Sequence, residues 1–281
     1  MPFDTLALVG VGMLGGSVGL AARRRGVVRQ VLGTDRDADA LHRARMCGIL
    51  DASFTDIAGV VASADLVVFC TPVDRIAEQV LAAAPHCRPG TLLTDVGSTK
   101  AEIVRAIEGR LPAGIAFVGG HPLAGSEKQG PDAAVEDLFQ DRVVVLTPCT
   151  RPATAASGLE QISAFWQALG ARVRIMDAGE HDCALAVTSH LPHLAASALA
   201  GTVPPQLLDL TATGFRSATR LAAGCPELWT AILHTNRAAV LTALESYRDR
   251  LDLFRRALEA DDRSLLAQLL SEGKETRDTL G

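Results

Sequence analysis

A glycine-rich turn near the start of the chain constrains its fold more than any other feature. The stretch LALVGVGMLGGSVGL spaces Gly10, Gly12 and Gly15 as GxGxxG, between a short apolar run and a helical pattern. There the first glycine permits a tight turn, the second a close approach to a pyrophosphate, and the third close packing of helix on strand. The sequence therefore predicts a βαβ unit that binds a dinucleotide, with Met13 and Leu14 at the phosphate-binding end of the helix.

A carboxylate follows at the end of the second predicted strand. Asp35 lies twenty residues beyond Gly15, where an acidic side chain accepts hydrogen bonds from ribose hydroxyls and repels a 2′-phosphate. The adjacent Arg36 weakens this preference, because an arginine there can accommodate NADP. NAD is the predicted cofactor and NADP the less favoured one. Thr71 and Pro72 end the third predicted strand at the same edge, where they either line the nicotinamide pocket or form an ordinary strand exit.

Short apolar runs recur along the first two thirds of the chain, separated by helical patterns. The runs cover 6–10, 30–35, 65–70, 91–96, 115–120, 143–147 and 172–176. This alternation indicates a largely parallel sheet that is buried on both faces. Later residues show helical patterns only, at 179–201, 206–213, 226–258 and 261–279. We predict an α/β fold in which a doubly wound (Rossmann-type) nucleotide-binding domain, 1–178, precedes an all-α domain, 179–281.

Composition argues against several classes of function. The formal net charge of -5 over 281 residues disfavours nucleic-acid binding, which needs clustered basic charge. The six cysteines include no CxxC pair, so they indicate isolated thiols in a reducing compartment and no metal site. The apolar N-terminus has its basic residues after the apolar run, the reverse of a signal peptide. The apolar stretch 183–201 contains two histidines and a proline, which favours a buried helix over a membrane span. We expect a cytoplasmic protein.

Two loops with polar side chains should meet at the carboxyl edge of the sheet. In TDVGSTKAEI, Ser98 either caps the following helix or points into the cleft outside the strand ends. The segment GGHPLAGSEKQG follows the next strand, and we expect His121 to lie in the loop that leaves that strand. Both loops then face the nicotinamide end of the cofactor site.

The helical part of the chain adds further polar candidates. In TSHLPHLAAS, Ser189 and His193 are four residues apart and share a helical face, although a lone helical histidine is usually structural. His190 and His193 lack a third ligand that would make a metal site. In GFRSATRLAAGCPELW, Arg216 and Arg220 either hold a carboxylate through their planar guanidinium groups or form surface salt bridges.

Five motifs carry a family resemblance. GVGMLGGS, DVGSTK, GGHPLAGSEKQG, SHLPH, and FRSATRLA followed by PELW occur in this order along nearly the whole chain. Together they resemble the prephenate/arogenate dehydrogenases of tyrosine biosynthesis. The resemblance implies a nucleotide-binding domain, a helical domain that forms a homodimer, and NAD(P)-dependent oxidative decarboxylation of a small-molecule substrate. Prephenate would give 4-hydroxyphenylpyruvate and CO₂, and arogenate would give tyrosine.

The same resemblance implies roles for individual residues. His121 matches the catalytic histidine that accepts the proton of the ring hydroxyl, and Ser98 matches the serine that hydrogen-bonds this hydroxyl. Ser189 and His193 match a second pair that lines the substrate pocket.

Three charged residues complete the implied site. Arg220 matches the arginine that binds a substrate carboxylate, and Glu127 matches an acidic residue that gates or orders the pocket. Arg216 stands where some relatives have lysine. Since two arginines suit a dianion, prephenate is the predicted substrate.

Other functions stay open from the sequence. A dehydrogenase of 4-amino-4-deoxyprephenate need not differ in these motifs, and a non-catalytic nucleotide-sensing module would bind NAD without turnover. Two-domain dehydrogenases of the 3-hydroxyacid or 6-phosphogluconate kind use a lysine in the second domain, and this chain has none between Gln129 and Gly273.

Overall fold

One mixed, mostly parallel sheet forms the centre of the first part of the chain. The computed structural model describes residues 3–125, 128–149 and 154–280, without the side chains of 154–156. The strands of the described chain are β1 (Thr5–Val9), β2 (Gln30–Thr34), β3 (Ala52–Phe54), β4 (Leu66–Phe69), β5 (Leu92–Asp95), β6 (Ala116–Pro122), β7 (Val143–Pro148) and β8 (Arg172–Ile175). Their order is β3-β2-β1-β4-β5-β6-β7-β8, and each neighbouring pair is parallel except β6 with β7.

The sheet is buried on both faces, as the continuous apolar runs predict. In β1, Leu6 and Leu8 belong to one core cluster, whereas Ala7 and Val9 belong to the other. Successive side chains of a strand point to opposite faces, so helices must cover both. These helices are α1 (Met13–Arg24), α2 (Ala38–Met46), α3 (Ile57–Val61), α4 (Val73–Ala83), α5 (Ala101–Ile107) and α6 (Thr154–Ala168). The prediction of a doubly wound α/β domain is confirmed; the three-residue strand β3 was too short to predict.

The rest of the described chain is helical, as predicted. Its helices are α7 (Ala178–Leu185), α8 (Leu191–Gly201), α9 (Thr213–Thr219), α10 (Pro226–Thr235), α11 (Arg237–Glu259) and α12 (Arg263–Asp278). The predicted helix over 206–213 is wrong: a 3₁₀ helix, Pro205–Leu210, lies there, and the next α-helix begins only at Thr213. The expected single helix over 226–258 is wrong, because Asn236 interrupts it with φ −117° and ψ 28°. The Asn236 amide is buried and hydrogen-bonds to other parts of the chain, which a residue inside a regular exposed helix could not do.

Pro192 does not break the helix in which it lies. A π-helical segment, Ala186–His190, joins α7 to α8, and the N–H of Leu191 donates to the carbonyl of Ala186, five residues back. Proline lacks an N–H, and the wider turn accommodates the missing bond without ending the helix.

The chain forms two compact units, Met1–Asn236 and Arg237–Gly281. The first contains the sheet and the helices up to α10. The second is the pair α11 and α12, in which Arg250 and Glu272 form a salt bridge of 2.6 Å. The predicted domain boundary at residue 178 marks the point where strands give way to helices, which differs from the division into compact units. That boundary stays a prediction.

One helical stretch, Ala178–Gly201, is long and apolar enough to cross a membrane by length and composition alone. His181, His190 and His193 within it are buried. Two of them hydrogen-bond to other parts of the first unit. These hydrogen bonds join the stretch to β6 and to the end of α10.

Candidate active site

The glycine-rich turn lies where the strand order reverses, between β1 and β4, which is where doubly wound sheets bind ligands. Gly10 has φ 92°, and a Cβ there would lie 2.9 Å from the Cys70 backbone. A Cβ on Gly15 would lie 2.2 Å from the carbonyl oxygen of Gly10. A Cβ on Gly12 would meet no atom of the described residues within 4 Å. Two glycines are therefore needed by the fold, and the third borders open space at the start of α1.

The remaining residues of the turn fit a dinucleotide. One carboxylate oxygen of Asp35 accepts from the N–H of Val11 at 2.8 Å, so the acidic side chain is held against the turn. Met13 is buried and Leu14 half-buried, at the N-terminal end of α1. That helix has no acidic residue in its first turn and no side-chain cap, so its first N–H groups are available to an anion. Arg36 is exposed beside Asp35.

Thr71 and Pro72 form the neighbouring wall of this edge. Thr71 is half-buried and its hydroxyl hydrogen-bonds to Gln79, whereas Pro72 is exposed and precedes the first residue of α4. The Cγ2 of Thr71 would lie 2.9 Å from a Cβ on Gly10, so this strand exit packs directly on the glycine-rich turn.

A buried ion pair lies at the end of β5. Asp95 and Lys100 are both fully buried and paired with each other. The Asp95 carboxylate also accepts from the N–H of Gly97 at 2.8 Å and from the N–H of Gly120 at 2.9 Å. It thereby joins the residues that immediately precede Ser98 and His121. Burial lowers the pKa of the Lys100 ammonium, and the attraction of Asp95 opposes that shift.

Ser98 does not cap the following helix. Helix α5 begins after Lys100, and its first N–H groups are satisfied from another helix: the Asp182 carboxylate accepts from Lys100 at 2.8 Å and from Ala101 at 2.9 Å. Ser98 is half-buried and hydrogen-bonds to no residue in the described part of the chain. Its hydroxyl is therefore free for a ligand.

His121 lies in a strand, so the expected loop position is wrong. It pairs with Val145 of β7 in the antiparallel part of β6. β6 leaves β5 after Val118, and a Cβ on Gly120 would lie 2.5 Å from the Asp95 carbonyl oxygen. A Cβ on Gly119 would lie 2.4 Å from the Thr147 hydroxyl, so both glycines of GGHP allow close approach of β6 to its neighbours. His121 is placed by the pairing of β6 with β7.

Two further side chains, His181 and Asp182, are hydrogen-bonded in series behind His121, and neither of them was identified from the sequence. Nδ1 of His121 lies 2.9 Å from Nε2 of His181, and Nδ1 of His181 lies 2.7 Å from the Asp182 carboxylate. All three are buried, with exposed fractions of 9%, 0% and 3%. The signal in the sequence was the pair His181–Asp182 at the start of a strongly apolar helix.

The surroundings keep His121 neutral. Burial lowers its pKa well below the ordinary 6.5, and positive charge on His181, Lys100 or His190 would lower it further. A neutral imidazole can accept a proton.

Stability is expected to fall as the pH drops below about 6.5. Burial lowers the pKa of His190 to about 4 and lowers the pKa values of His121 and His193 below 6.5. The unfolded chain then binds more protons than the folded one between about pH 6.5 and 4, so protonation favours unfolding. Urea midpoints measured across this range should fall, with a shallower slope in His190→Asn. A midpoint independent of pH would contradict these buried neutral histidines.

His193 and Ser189 lie on the helical side of the same unit. His193 stacks on Trp229, with ring centroids 3.6 Å apart and an interplanar angle of 10°. Its buried Nδ1 has no hydrogen-bond partner in the described part of the chain. Ser189 is half-buried in the π-helical segment. The ring of His190 also meets Trp229, edge to face, at a centroid distance of 6.2 Å.

The charged candidate residues have fewer contacts with the rest of the structure. Arg216 in α9 and Arg220 in the following 3₁₀ turn are exposed, and neither pairs with another described residue. Glu127 lies outside the described residues. Nowhere in the described ranges do three or more His, Cys, Asp or Glu side chains cluster so as to hold a metal ion.

Comparison with protein families covers both parts of the chain. Residues 18–175 match the model described as prephenate dehydrogenase, nucleotide-binding domain, and residues 177–272 match the model described as prephenate dehydrogenase, dimerization domain.

Individual proteins give the same result. Cyclohexadienyl dehydrogenase of Zymomonas mobilis is 34% identical over 98% of this chain and 95% of its own length. Prephenate dehydrogenase of Bacillus subtilis is 32% identical over 99% of this chain and 76% of its own length. The crystal structure of prephenate dehydrogenase from Aquifex aeolicus, in complex with hydroxyphenyl propionate and NAD+, superposes with a TM-score of 0.91 at 30% identity, over 99% of this chain and 98% of that one.

Proposed function

Because the chain belongs to the prephenate dehydrogenase family, we propose that it catalyses the NAD-dependent oxidative decarboxylation of prephenate to 4-hydroxyphenylpyruvate and CO₂. One observation supports this most: a buried neutral histidine, His121, lies at the sheet edge that carries the glycine-rich turn. A dehydrogenase that oxidises a secondary alcohol needs a proton acceptor in that position.

The chain's own groups hold the cofactor and the reacting hydroxyl. Gly12 and the start of α1 would take the pyrophosphate, and Asp35 the ribose hydroxyls. Bound NAD supplies the hydride acceptor. Ser98 hydrogen-bonds the ring hydroxyl, and Nε2 of His121 takes the hydroxyl proton. The O–H electron pair stays on the oxygen and forms the new carbonyl bond as the hydrogen on the same carbon departs with its electron pair as hydride. When CO₂ departs and the ring becomes aromatic, the proton returns to the phenolate oxygen, so the overall reaction releases none.

The remaining site residues hold the substrate. Arg220 and Arg216 supply guanidinium groups to the two carboxylates of prephenate. Ser189 and the unpartnered Nδ1 of His193 offer further hydrogen bonds. Glu127 orders the pocket in this proposal.

A homodimer accounts for the apolar surface of the second unit. Helices α11 and α12 carry exposed leucines, among them Leu241, Leu251, Leu258 and Leu270. Several exposed leucines on one helical pair are consistent with a protein interface. Light scattering of the purified protein tests this assembly. The cytoplasm stays the predicted location.

The activity is tested with purified protein, following the absorbance of reduced cofactor with prephenate or arogenate and with NAD or NADP. Turnover should be highest with prephenate and NAD. Higher kcat/KM with arogenate would identify an arogenate dehydrogenase, and the absence of turnover in all four combinations would refute the function. The amino-deoxy analogue of prephenate tests the remaining related substrate.

Two glycine variants test the cofactor site. Gly12→Ala adds a methyl group in open space, so it should fold with unchanged thermal stability while its NAD dissociation constant rises at least about tenfold, or roughly 1.4 kcal/mol. Gly15→Ala places its Cβ against the Gly10 carbonyl oxygen, so it should lose thermal stability as well. Calorimetry of NAD binding and thermal unfolding measure both effects. Unchanged NAD affinity in Gly12→Ala would exclude Gly12 from the site.

A further inference from the structure

His181 and Asp182 are buried titratable groups for which the proposed function has no use. His181 contacts the proton acceptor directly, with Nδ1 of His121 2.9 Å from its Nε2, and Asp182 contacts His181 in turn at 2.7 Å. The His121 and His181 rings meet edge to face, with centroids 5.1 Å apart.

The hydrogen positions among His121, His181 and Asp182 follow from the charge of the Asp182 carboxylate. An ionised carboxylate only accepts, so Nδ1 of His181 carries the hydrogen that it donates to Asp182. Nε2 of neutral His181 is then an acceptor, and it takes the hydrogen on Nδ1 of His121. His121 is thereby left with its lone pair on Nε2, to which no described residue hydrogen-bonds.

The Asp182 carboxylate cannot move away from this arrangement easily. Its two oxygens also accept from the N–H groups of Lys100 and Ala101 at the start of α5. The amide of Asn236 donates to its backbone carbonyl at 2.7 Å and contacts Nδ1 of His190 at 3.1 Å. One carboxylate therefore fixes the helix after the Ser98 loop and orients the histidine behind His121.

We propose that His181 and Asp182 are positioning residues that hold His121 in the Nδ1–H tautomer and stabilise it when it becomes protonated. This inference rests on the proposed function of His121. When the substrate O–H bond breaks and an N–H bond forms at Nε2, His121 becomes an imidazolium. Its Nδ1–H bond to His181 strengthens, and the negative charge of Asp182 offsets the new positive charge through His181. Lys100 and His190 also face His121, but any charge on them is positive and cannot offset the charge of the imidazolium.

Two substitutions at position 181 distinguish the loss of the hydrogen bond to His121 from the mere loss of the imidazole ring. In His181→Gln the amide oxygen takes the place of Nε2 and can still accept from His121. In His181→Asn the shorter side chain can reach Asp182 but not His121. We expect His181→Asn to lower kcat about 10- to 100-fold, the usual effect of removing a partner that orients a functional imidazole, with KM for prephenate nearly unchanged. His181→Gln should keep a clearly higher kcat than His181→Asn.

A spectroscopic readout tests the tautomer without turnover. Long-range ¹H–¹⁵N spectra of histidine-labelled protein, assigned with His121→Asn, should show a protonated Nδ1 on His121 in the wild type and in His181→Gln. They should show mixed tautomers in His181→Asn. His86→Asn is the control, since it removes an exposed histidine in the short turn after α4, away from this cluster, and it should leave the His121 spectrum unchanged.

The outcomes are distinguishable. If the wild type turns over prephenate and both His181 variants match its kcat, or if the two variants are equally impaired with an unchanged His121 tautomer, the positioning role is wrong. If the wild type is inactive, the proposed function fails, while the spectra still decide whether His181 sets the His121 tautomer.

Discussion

Replacement of His121 by asparagine is expected to lower kcat by about 10²- to 10⁴-fold, the usual contribution of a positioned general base. The asparagine amide can still donate towards His181 from roughly the place of Nδ1, but it offers no basic nitrogen in place of Nε2. Binding of NAD should be unchanged, because the glycine-rich turn and Asp35 do not involve this side chain. Steady-state kinetics and calorimetry of NAD binding measure the two quantities separately.

The matched control is His86→Asn, which changes an exposed histidine in a short turn after α4. It should retain wild-type kcat. A His121→Asn protein with near wild-type kcat would refute the role of His121, whereas loss of NAD binding together with turnover would indicate a folding defect. Retained NAD binding without turnover would also separate an enzyme from a nucleotide-sensing module, which should tolerate the substitution.

Replacement of Lys100 by methionine is expected to destabilise the protein by about 3–5 kcal/mol. Breaking a buried ion pair leaves one charge without compensation, and that cost exceeds the net value of the intact pair. Asp95 would keep two backbone N–H donors but lose its countercharge. Urea denaturation measures the change in the free energy of unfolding.

A double variant identifies the cause. Asp95→Asn combined with Lys100→Met removes both charges, so it should be more stable than Lys100→Met alone. Lys274→Met serves as the surface control, since Lys274 pairs with Asp278 on the exposed face of α12, and it should leave stability nearly unchanged. If Lys100→Met behaved like Lys274→Met, the buried ion pair would not be a determinant of stability.

The fold was predictable because its signals are local. The glycine spacing at Gly10, Gly12 and Gly15, the apolar runs and the late helices each depend on a few neighbouring residues, and the structure contains them where expected. The exceptions required distant contacts. His121 lies in a strand because β6 changes partners after Val118, and nothing within the segment itself specifies the pairing with β7.

The chemistry of the site was only partly predictable for the same reason. Family motifs pointed to His121 and Ser98, but not to the groups behind them. Asp182 acts on Lys100 and Ala101 from 82 and 81 positions away along the chain. Such a cap has no sequence signature. Lys100 looked like an ordinary residue at the start of a helix, and only the fold shows that its ammonium group is buried against Asp95.

The pH dependence of kcat/KM for prephenate tests the central claim, that neutral His121 is the proton acceptor, most directly. Burial lowers the pKa of His121 well below 6.5, so kcat/KM should stay level from neutral pH down past 6.5 and fall at lower pH, as His121 in the free enzyme becomes protonated. His121→Asn should lack this acidic limb in its residual activity. An acidic limb with the same pKa in the wild type and in His121→Asn would contradict the account, because another group would then be the one that must lose its proton.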